Sequence, residues 1–254
     1  MMTHTRNVLS LAVEIGNEML ANGAEIYRVE ESMARIIESF HIHRYNIYTI
    51  SNAIFVNIQE GEPDGVSTVR QVPLGAINLY RLTQLNQLTR DLTEHKCTMK
   101  EAFLRIEEYK RAVIYRPFTL VFFGGLAGFA FCYLLGGTWL DSILAFLISM
   151  LEEYLLLTLD VQKISGILKN ITASFMVTVV SCLLTLTPLP LSSDNMIIGA
   201  IMLLVPGVGI TTAIRDYLNA EYLSGTIRIV SAFLVGFCIV VGVLSGTWIC
   251  QFFV

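Results

Sequence analysis

The chain has 254 residues, of which 54% are apolar; its mean hydropathy is +0.61 and its formal net charge −4. That hydropathy is too high for an ordinary soluble domain, and neither half is basic enough for nucleic acid. The charges are unevenly placed: residues 1–117 hold 13 of the 17 Lys and Arg and 14 of the 21 Asp and Glu, and residues 118–254 hold 4 and 7. The expected division is therefore a polar domain, 1–117, followed by a membrane domain, 118–254.

The first residues lack the long apolar core of a signal peptide, so the polar half is expected to stay in the cytoplasm. Asn7 to Ala21 reads as an amphipathic helix with Val8, Leu11, Ala12, Ile15 and Met19 on one face. Asn22-Gly23 is a helix stop. A second helix is expected from Ala24 to Phe40, its apolar stripe being Ile26, Val29, Met33, Ile36 and Ile37. Glu25, Arg28, Glu31 and Arg35 share another face and can pair. That face is either a solvated, salt-bridged surface or a polar surface toward a solute path or partner.

Period-two patterns then predict strands over Tyr45–Ile50, Ala53–Ile58 and Val66–Val72. Ser51-Asn52 suits a tight turn and Glu60 to Gly65 a longer one. His41 and His43 are expected on one side of an extended segment, a weak metal signal better read as a surface pair. Two further helices are expected, Leu74–Leu92 and Thr98–Val113. The product is a small α+β domain of roughly 110 residues, long enough to bury its own core. It has no nucleophile elbow, phosphate loop or metal-ligand cluster, so no enzyme, cofactor or metal is expected. The five cysteines include no CxxC pair and read as apolar packing residues.

A bilayer core about 30 Å thick needs about 20 apolar residues of helix. Five runs meet this: Phe118–Leu135, Leu140–Leu159, Leu168–Leu186, Met196–Ile214 and Thr226–Phe253. The expected fold is thus an α-helical membrane protein, five transmembrane helices preceded by a small α+β cytoplasmic domain. The basic residues Lys110, Arg111, Arg116, Lys163, Lys169, Arg215 and Arg228 all fall on one side of this arrangement. The positive-inside rule makes that side cytoplasmic and leaves the C-terminus outside. Trp139 and Trp248 then sit at the outer interface.

Within this half, Gly124 to Gly128 is a GxxxG spacing suited to close helix packing. Ser174, Thr178, Ser181 and Thr185 form one hydroxyl stripe, which either lines a path or bonds to its own helix. Glu152 lies about 18 Å from the outer end of its run at ~1.5 Å per residue. An ionisable group at that depth marks function, so Glu152 and Glu153 are proton-coupling candidates; the other reading is a tilted or shorter helix that leaves both in the headgroups.

The richest stretch runs from Leu203 to Asp216. Pro206 lies about 15 Å in from Met196, near the midplane. Proline removes a donor and glycines tolerate unwinding, so the helix is expected to break here and restart after Gly207 or Gly209. A restarting helix aims N–H groups and a positive dipole end at the break, a place for a carboxylate. Thr211 and Thr212 would add hydroxyls. Arg215 and Arg228, with Asp216, would border the cytoplasmic mouth, where the arginines draw anions in. The other reading is a plain proline kink. The substrate-site candidates are therefore Pro206, Gly207, Gly209, Thr211, Thr212, Arg215, Asp216 and Arg228.

Three motifs carry a family resemblance. They are Gly23-Ala24-Glu25-Ile26-Tyr27-Arg28-Val29-Glu30-Glu31-Ser32-Met33; Phe123-Gly124-Gly125 with Gly136-Gly137-Thr138-Trp139-Leu140-Asp141; and Leu204-Val205-Pro206-Gly207 with Ala213-Ile214-Arg215-Asp216 and Ser224-Gly225-Thr226-Ile227-Arg228. The sequence resembles the threonine/serine exporter family, in particular the larger, YjjP-like subunit of its split bacterial form. The resemblance implies an inner-membrane secondary exporter of small carboxylate metabolites, threonine and serine in fused members and succinate-like dicarboxylates in the split form. It implies a small membrane partner subunit supplying the second half of the transporter, and singles out Glu25, Tyr27, Arg28 and Glu31 as the motif of the cytoplasmic domain. A homo-oligomer is the other assembly left open. Where family members often carry Asn, this chain has Thr212. The competing function is a membrane-anchored regulatory or scaffold subunit whose cytoplasmic domain binds a ligand or partner. A hydrolase is a third and weaker reading.

Overall fold

The computed structural model describes residues 2–59, 65–73, 77–112 and 115–252. These residues fall into two compact units. The first takes the described residues up to 112 together with Thr212–Arg228; the second takes Tyr115–Thr211 and the described residues from Ile229 onward.

In the first unit, α1 (Met2–Ala21) and α2 (Ile26–Ser39) precede a three-stranded antiparallel meander of β1 (Tyr45–Ile50), β2 (Ala53–Ile58) and β3 (Val66–Gln71). Helices α3 (Leu79–Thr93) and α4 (Met99–Arg111) follow. The apolar stripes foreseen for α1 and α2 are the core: Val8, Leu11, Ala12, Ile15 and Met19 are buried against Ile26, Val29, Met33, Ile36 and Ile37. Ile54, Val56 and Ile58 of β2 complete the contact from the sheet. At ~1.5–3 kcal/mol per buried aliphatic side chain, these stripes dominate the stability of the unit.

The turns are equally local in origin. Gly23 takes φ +89°, its N–H reaches the Leu20 carbonyl at 3.1 Å, and the Ala24 N–H reaches that of Met19 at 3.0 Å. That is the Schellman ending of α1, with glycine free of the Cβ penalty. The Ile50↔Ala53 pairing leaves Ser51-Asn52 as a two-residue turn. Thr98 and Glu101 form a reciprocal capping box on α4.

Several sequence-based boundaries shift. α1 starts five residues earlier than expected, and β3 ends one residue earlier, at Gln71. The segment holding His41 and His43 is not extended throughout: His41 has φ +62° and its N–H closes back on the Glu38 carbonyl at 2.9 Å, so it ends α2 instead of starting a strand. α3 begins at Leu79; the expected start at Leu74, the turn over 60–64, the helix end at Val113 and the helix end at Phe253 lie outside the described residues.

In the second unit, α5 (Pro117–Leu134), α6 (Trp139–Val161), α7 (Gly166–Thr185) and α10 (Tyr222–Cys250, in the second unit from Ile229) are long and apolar enough to cross a membrane. The fourth expected run is different. It forms two short helices, α8 (Ser193–Ile201) and α9 (Gly207–Leu218), neither of which spans by itself.

Small residues set the spacing. A Cβ on Gly128 of α5 would collide with the Ser149 hydroxyl of α6, and one on Gly125 would lie 2.5 Å from Met150 Cγ. The GxxxG spacing is therefore a packing seam. On α10, Gly242 and Gly246 press in the same way on Ser174 and Thr178 of α7. Ser174, Thr178 and Thr185 spend their hydroxyls on carbonyls of their own helix. Three of the four hydroxyls of the stripe are thus taken up by their own helix. Asp141 fastens the end of the α5–α6 hairpin: its carboxylate accepts from the Thr138 N–H at 3.0 Å, the Thr138 hydroxyl at 2.8 Å and the Ser192 N–H at 2.9 Å. One buried side chain caps α6 and ties it to the start of α8.

Substituting Val at Gly128 should separate α5 from α6 and lower stability by about 1–3 kcal/mol, the usual cost of overpacking. A Gly166→Ala control, where a Cβ meets nothing within 4 Å, should stay near wild type. Denaturation midpoints of the detergent-solubilised protein check both.

Candidate functional site

The break between α8 and α9 covers Met202–Pro206. Tight turns fill it: the Leu203 N–H reaches the Ala200 carbonyl at 3.1 Å and the Leu204 N–H reaches that of Ile201 at 2.8 Å. Pro206 has no N–H to continue a helix, and α9 restarts at Gly207. A Cβ at Gly207 would meet nothing within 4 Å, so open space lies beside the restart. Next to it is a cavity of about 550 Å³ whose walls include Val205, Pro206, Ile210, Phe233 and Phe237. Those walls are apolar. The Thr211 hydroxyl is spent on its own helix, 3.0 Å from the Val208 carbonyl and 3.2 Å from that of Gly207. Thr212 is half-buried in the same helix.

The charged candidates gather elsewhere, in the first unit. Asp216 is almost wholly buried, and the Arg228 Nε lies 3.0 Å from its Oδ2. The other side of that guanidinium reaches the Ala24 carbonyl at 3.5 Å. Arg215 pairs with Glu25, which also has Arg28 at 3.4 Å. Arg215 and Arg228 are therefore bound to carboxylates of this chain and not held free for an incoming anion.

Each polar residue of Ser224-Gly225-Thr226-Ile227-Arg228 has an identifiable task. The Ser224 hydroxyl accepts the Ser51 N–H, and the Ser51 hydroxyl donates to the Ser224 carbonyl, both at 3.2 Å. A Cβ on Gly225 would crowd the Tyr217 ring and the Ala213 carbonyl. The Thr226 hydroxyl lies 2.8 Å from the Tyr217 hydroxyl. Close by in sequence, Glu30 accepts the Thr49 N–H at 2.7 Å. Burial pushes the Glu30 carboxyl above its ordinary value and the nearby Glu221 adds to this, while the Thr49 N–H pulls it back.

Tyr27, Arg28 and Glu31 line a separate polar cavity between α2 and α3. In the second unit, Glu152 is fully buried in α6, and among the described residues neither of its carboxylate oxygens has a hydrogen-bond partner. The hydroxyls of Ser149 and Ser181 are likewise unpartnered. Glu153 points to the α5 face, where a Cβ on Gly124 would touch its side chain, and it lines a shallow cavity with Thr119 and Phe123. Among the described residues no group of three or more His, Cys, Asp or Glu is placed to hold a metal ion.

Sequence reasoning placed Arg215, Asp216 and Arg228 at the mouth and Glu25 on the pairing face of the second helix, and did not foresee the Arg215–Glu25 and Arg228–Asp216 pairs. It missed Ser51, whose partner is 173 positions away. It also missed Asp141 as a clamp, although Thr138-x-x-Asp141 before an apolar run is a legible capping box.

Residues 10–249 match the family described as "Putative threonine/serine exporter". The chain belongs to the threonine/serine exporter family. It is 25% identical over 244 residues to the "Probable succinate transporter subunit YjjP" of Klebsiella aerogenes, covering 95% of this chain and 93% of that one. The protein of the same name from Escherichia coli is 24% identical over 243 residues, 95% and 94% of the two chains. A "Probable threonine/serine exporter" of Mycobacterium tuberculosis is 26% identical over 145 residues, 56% of this chain and 27% of that protein. No solved structure matches. Family and apolar helices together make this a membrane protein of a transport family, not an enzyme.

Removing one member of a buried ion pair strands the other, at a cost of about 3–5 kcal/mol. Arg228→Gln should therefore melt well below wild type, and the double variant Arg228→Gln with Asp216→Asn should recover part of the loss. Thermal unfolding of the purified protein in detergent measures the difference.

Proposed function

We propose that the chain is one subunit of an inner-membrane secondary exporter of small carboxylate metabolites, either threonine and serine or succinate-like dicarboxylates. The observation that carries this is the interruption at Met202–Pro206 of an otherwise apolar run, with α9 restarting at Gly207 beside open space. A mere anchor has no need of such a break, since backbone groups freed within a bilayer must be met by protein, water or solute. On this reading α8 and α9 together make a fifth, broken crossing. The N-terminus is cytoplasmic and the C-terminus outside, as the basic residues dictate.

The carboxylate of the solute sits at the start of α9, held by the backbone N–H of Gly209 and by the positive end of the helix, while the Gly207 N–H is turned to the Val205 carbonyl at 2.8 Å. Pro206 shapes the break and Thr211 and Thr212 flank it. The ion pairs of Arg215, Asp216 and Arg228 hold the inner end of α9, with Glu25 as one anchor. Glu152 is the proton carrier: a buried carboxyl with no partner in an apolar helix is costly to keep without a role. Glu153 is its neighbour on the same helix. The curated relatives from Klebsiella and Escherichia are named as transporter subunits, which supports a small membrane partner supplying the remainder of the transporter.

Efflux of preloaded threonine, serine and succinate from vesicles, with and without a small partner subunit, tests the proposal. Gly207→Leu fills the open space and should reduce export at least tenfold while the protein still inserts; normal export by that variant removes the broken-helix site. Glu152→Gln should leave counterflow exchange running but abolish acceleration by an imposed pH gradient. If the gradient drives this variant as it drives wild type, Glu152 carries no proton.

A further inference from the structure

The cavity between α2 and α3 is not explained by transport through the helices. It encloses about 340 Å³, within the ~300–1,000 Å³ of small-molecule sites. Two buried residues, Ser32 and Thr89, line it from within, and the Thr89 hydroxyl donates to the Leu85 carbonyl at 3.0 Å, which leaves that of Ser32 to face a ligand. Its rim carries three arginines, Arg28 and Arg35 from α2 and Arg90 from α3, with the amide of Asn86 beside them. Helical spacing puts them there: Arg28, Ser32 and Arg35 recur at four and three residues on α2, as Asn86 and Arg90 recur at four on α3.

The charges do not balance within the cavity. Glu31 lies 2.6 Å from Arg35 and neutralises it. Arg28 has only a share of Glu25, at 3.4 Å, because Glu25 also pairs with Arg215. Arg90 has no carboxylate at ion-pair distance among the described residues. Two guanidinium groups on opposite walls thus stand in excess over hydroxyl and amide groups. Guanidinium groups with such neighbours form charge-assisted hydrogen bonds to oxyanions.

We propose that this cavity is a binding site for a small doubly charged oxyanion, a dicarboxylate or a phosphate, bridged between Arg28 of α2 and Arg90 of α3. It is distinct from the proposed transport site at Gly207 and does not depend on it. Its occupancy is linked to α9: an anion that draws Arg28 away leaves Glu25 wholly to Arg215, and tightening of the Glu25–Arg215 pair opposes Arg28. By reciprocity, whatever strengthens or weakens the Arg215–Glu25 pair changes the affinity of the cavity.

Calorimetric titration of the purified full-length protein in detergent, at low chloride, with sodium succinate and separately with sodium phosphate tests this. At least one anion should bind, and the tighter one identifies the ligand as organic acid or phosphate. Arg90→Gln, at an exposed position, should weaken binding about tenfold; Asn86→Ala is the second variant should Arg90→Gln melt early. Glu25→Gln frees Arg28 and should tighten binding several-fold, which a purely structural salt bridge would not do. Gly207→Leu should bind as wild type. Absence of heat with both anions, wild-type affinity in both cavity variants, or loss of binding in Gly207→Leu overturns the proposal.

Discussion

Two charges withdrawn from water, Asp216 and Arg228, govern the turn from α9 to α10. Neither tolerates burial alone, and at 3.0 Å each is the other's compensation. The pair works only if the chain between them reverses within a few residues. Ala220 accepts φ +63°, and the Glu221 N–H closes on the Asp216 carbonyl at 2.9 Å to make that reversal. Gly225 then lets α10 approach the α9 backbone at Ala213. The motif Arg215-Asp216 followed by Ser224-Gly225-Thr226-Ile227-Arg228 is therefore a single folding instruction, in which charge, turn and close approach require one another. Its outer contacts, Arg215 to Glu25 and Ser224 to Ser51, join it to the first helices and the sheet.

The second unit is assembled on a different principle. Its helices are apolar nearly all round, so apolarity cannot decide which faces meet in a lipid setting, where the surroundings are as apolar as the helices themselves. Shape decides. Glycines 124, 125 and 128 on α5 and 242 and 246 on α10 mark where backbones can approach, and opposite the α10 pair Ser174 and Thr178 fill the space with their hydroxyls turned back to their own helix. The polar exceptions are few. Asp141 is answered by three donors at a helix end. Glu152 is answered by none, which is why it stands out as a cost that structure alone does not recover.

How much of this could be read from the sequence follows the range of the forces involved. The stripes of α1 and α2, the three strands and the Gly23 stop depend on periodicity and local backbone preference, and all appear in the chain as written. The break at Pro206-Gly207 was legible because proline and glycine act on their immediate neighbours. The pairing of Ser51 with Ser224, of Glu25 with Arg215 and of Asp216 with Arg228 was not, because nothing in spacing tells which distant carboxylate an arginine will meet. The expected fourth helix shows the same limit. Hydropathy averaged over Met196–Ile214 satisfies a spanning criterion, but the sum does not register that the backbone is interrupted in its middle.

The placement of the arginines bears on how a carboxylate would be recognised in the proposed exporter. Arg215 and Arg228 have carboxylate partners of their own, and the walls beside the break are Val205, Pro206, Ile210, Phe233 and Phe237. With the Thr211 hydroxyl returned to its helix, selectivity for the anionic end of a solute at this break falls to the backbone N–H groups and dipole of α9. Backbone recognition of this kind reads a carboxylate without reading the remainder of the molecule. Discrimination between an amino acid and a dicarboxylate must then come from groups that approach the open space at Gly207 from outside the segment, and an apolar cavity beside it is a surface suited to a packed neighbouring helix. On the proposed reading, a subunit built this way would supply the anion hold and leave the choice of solute to a partner.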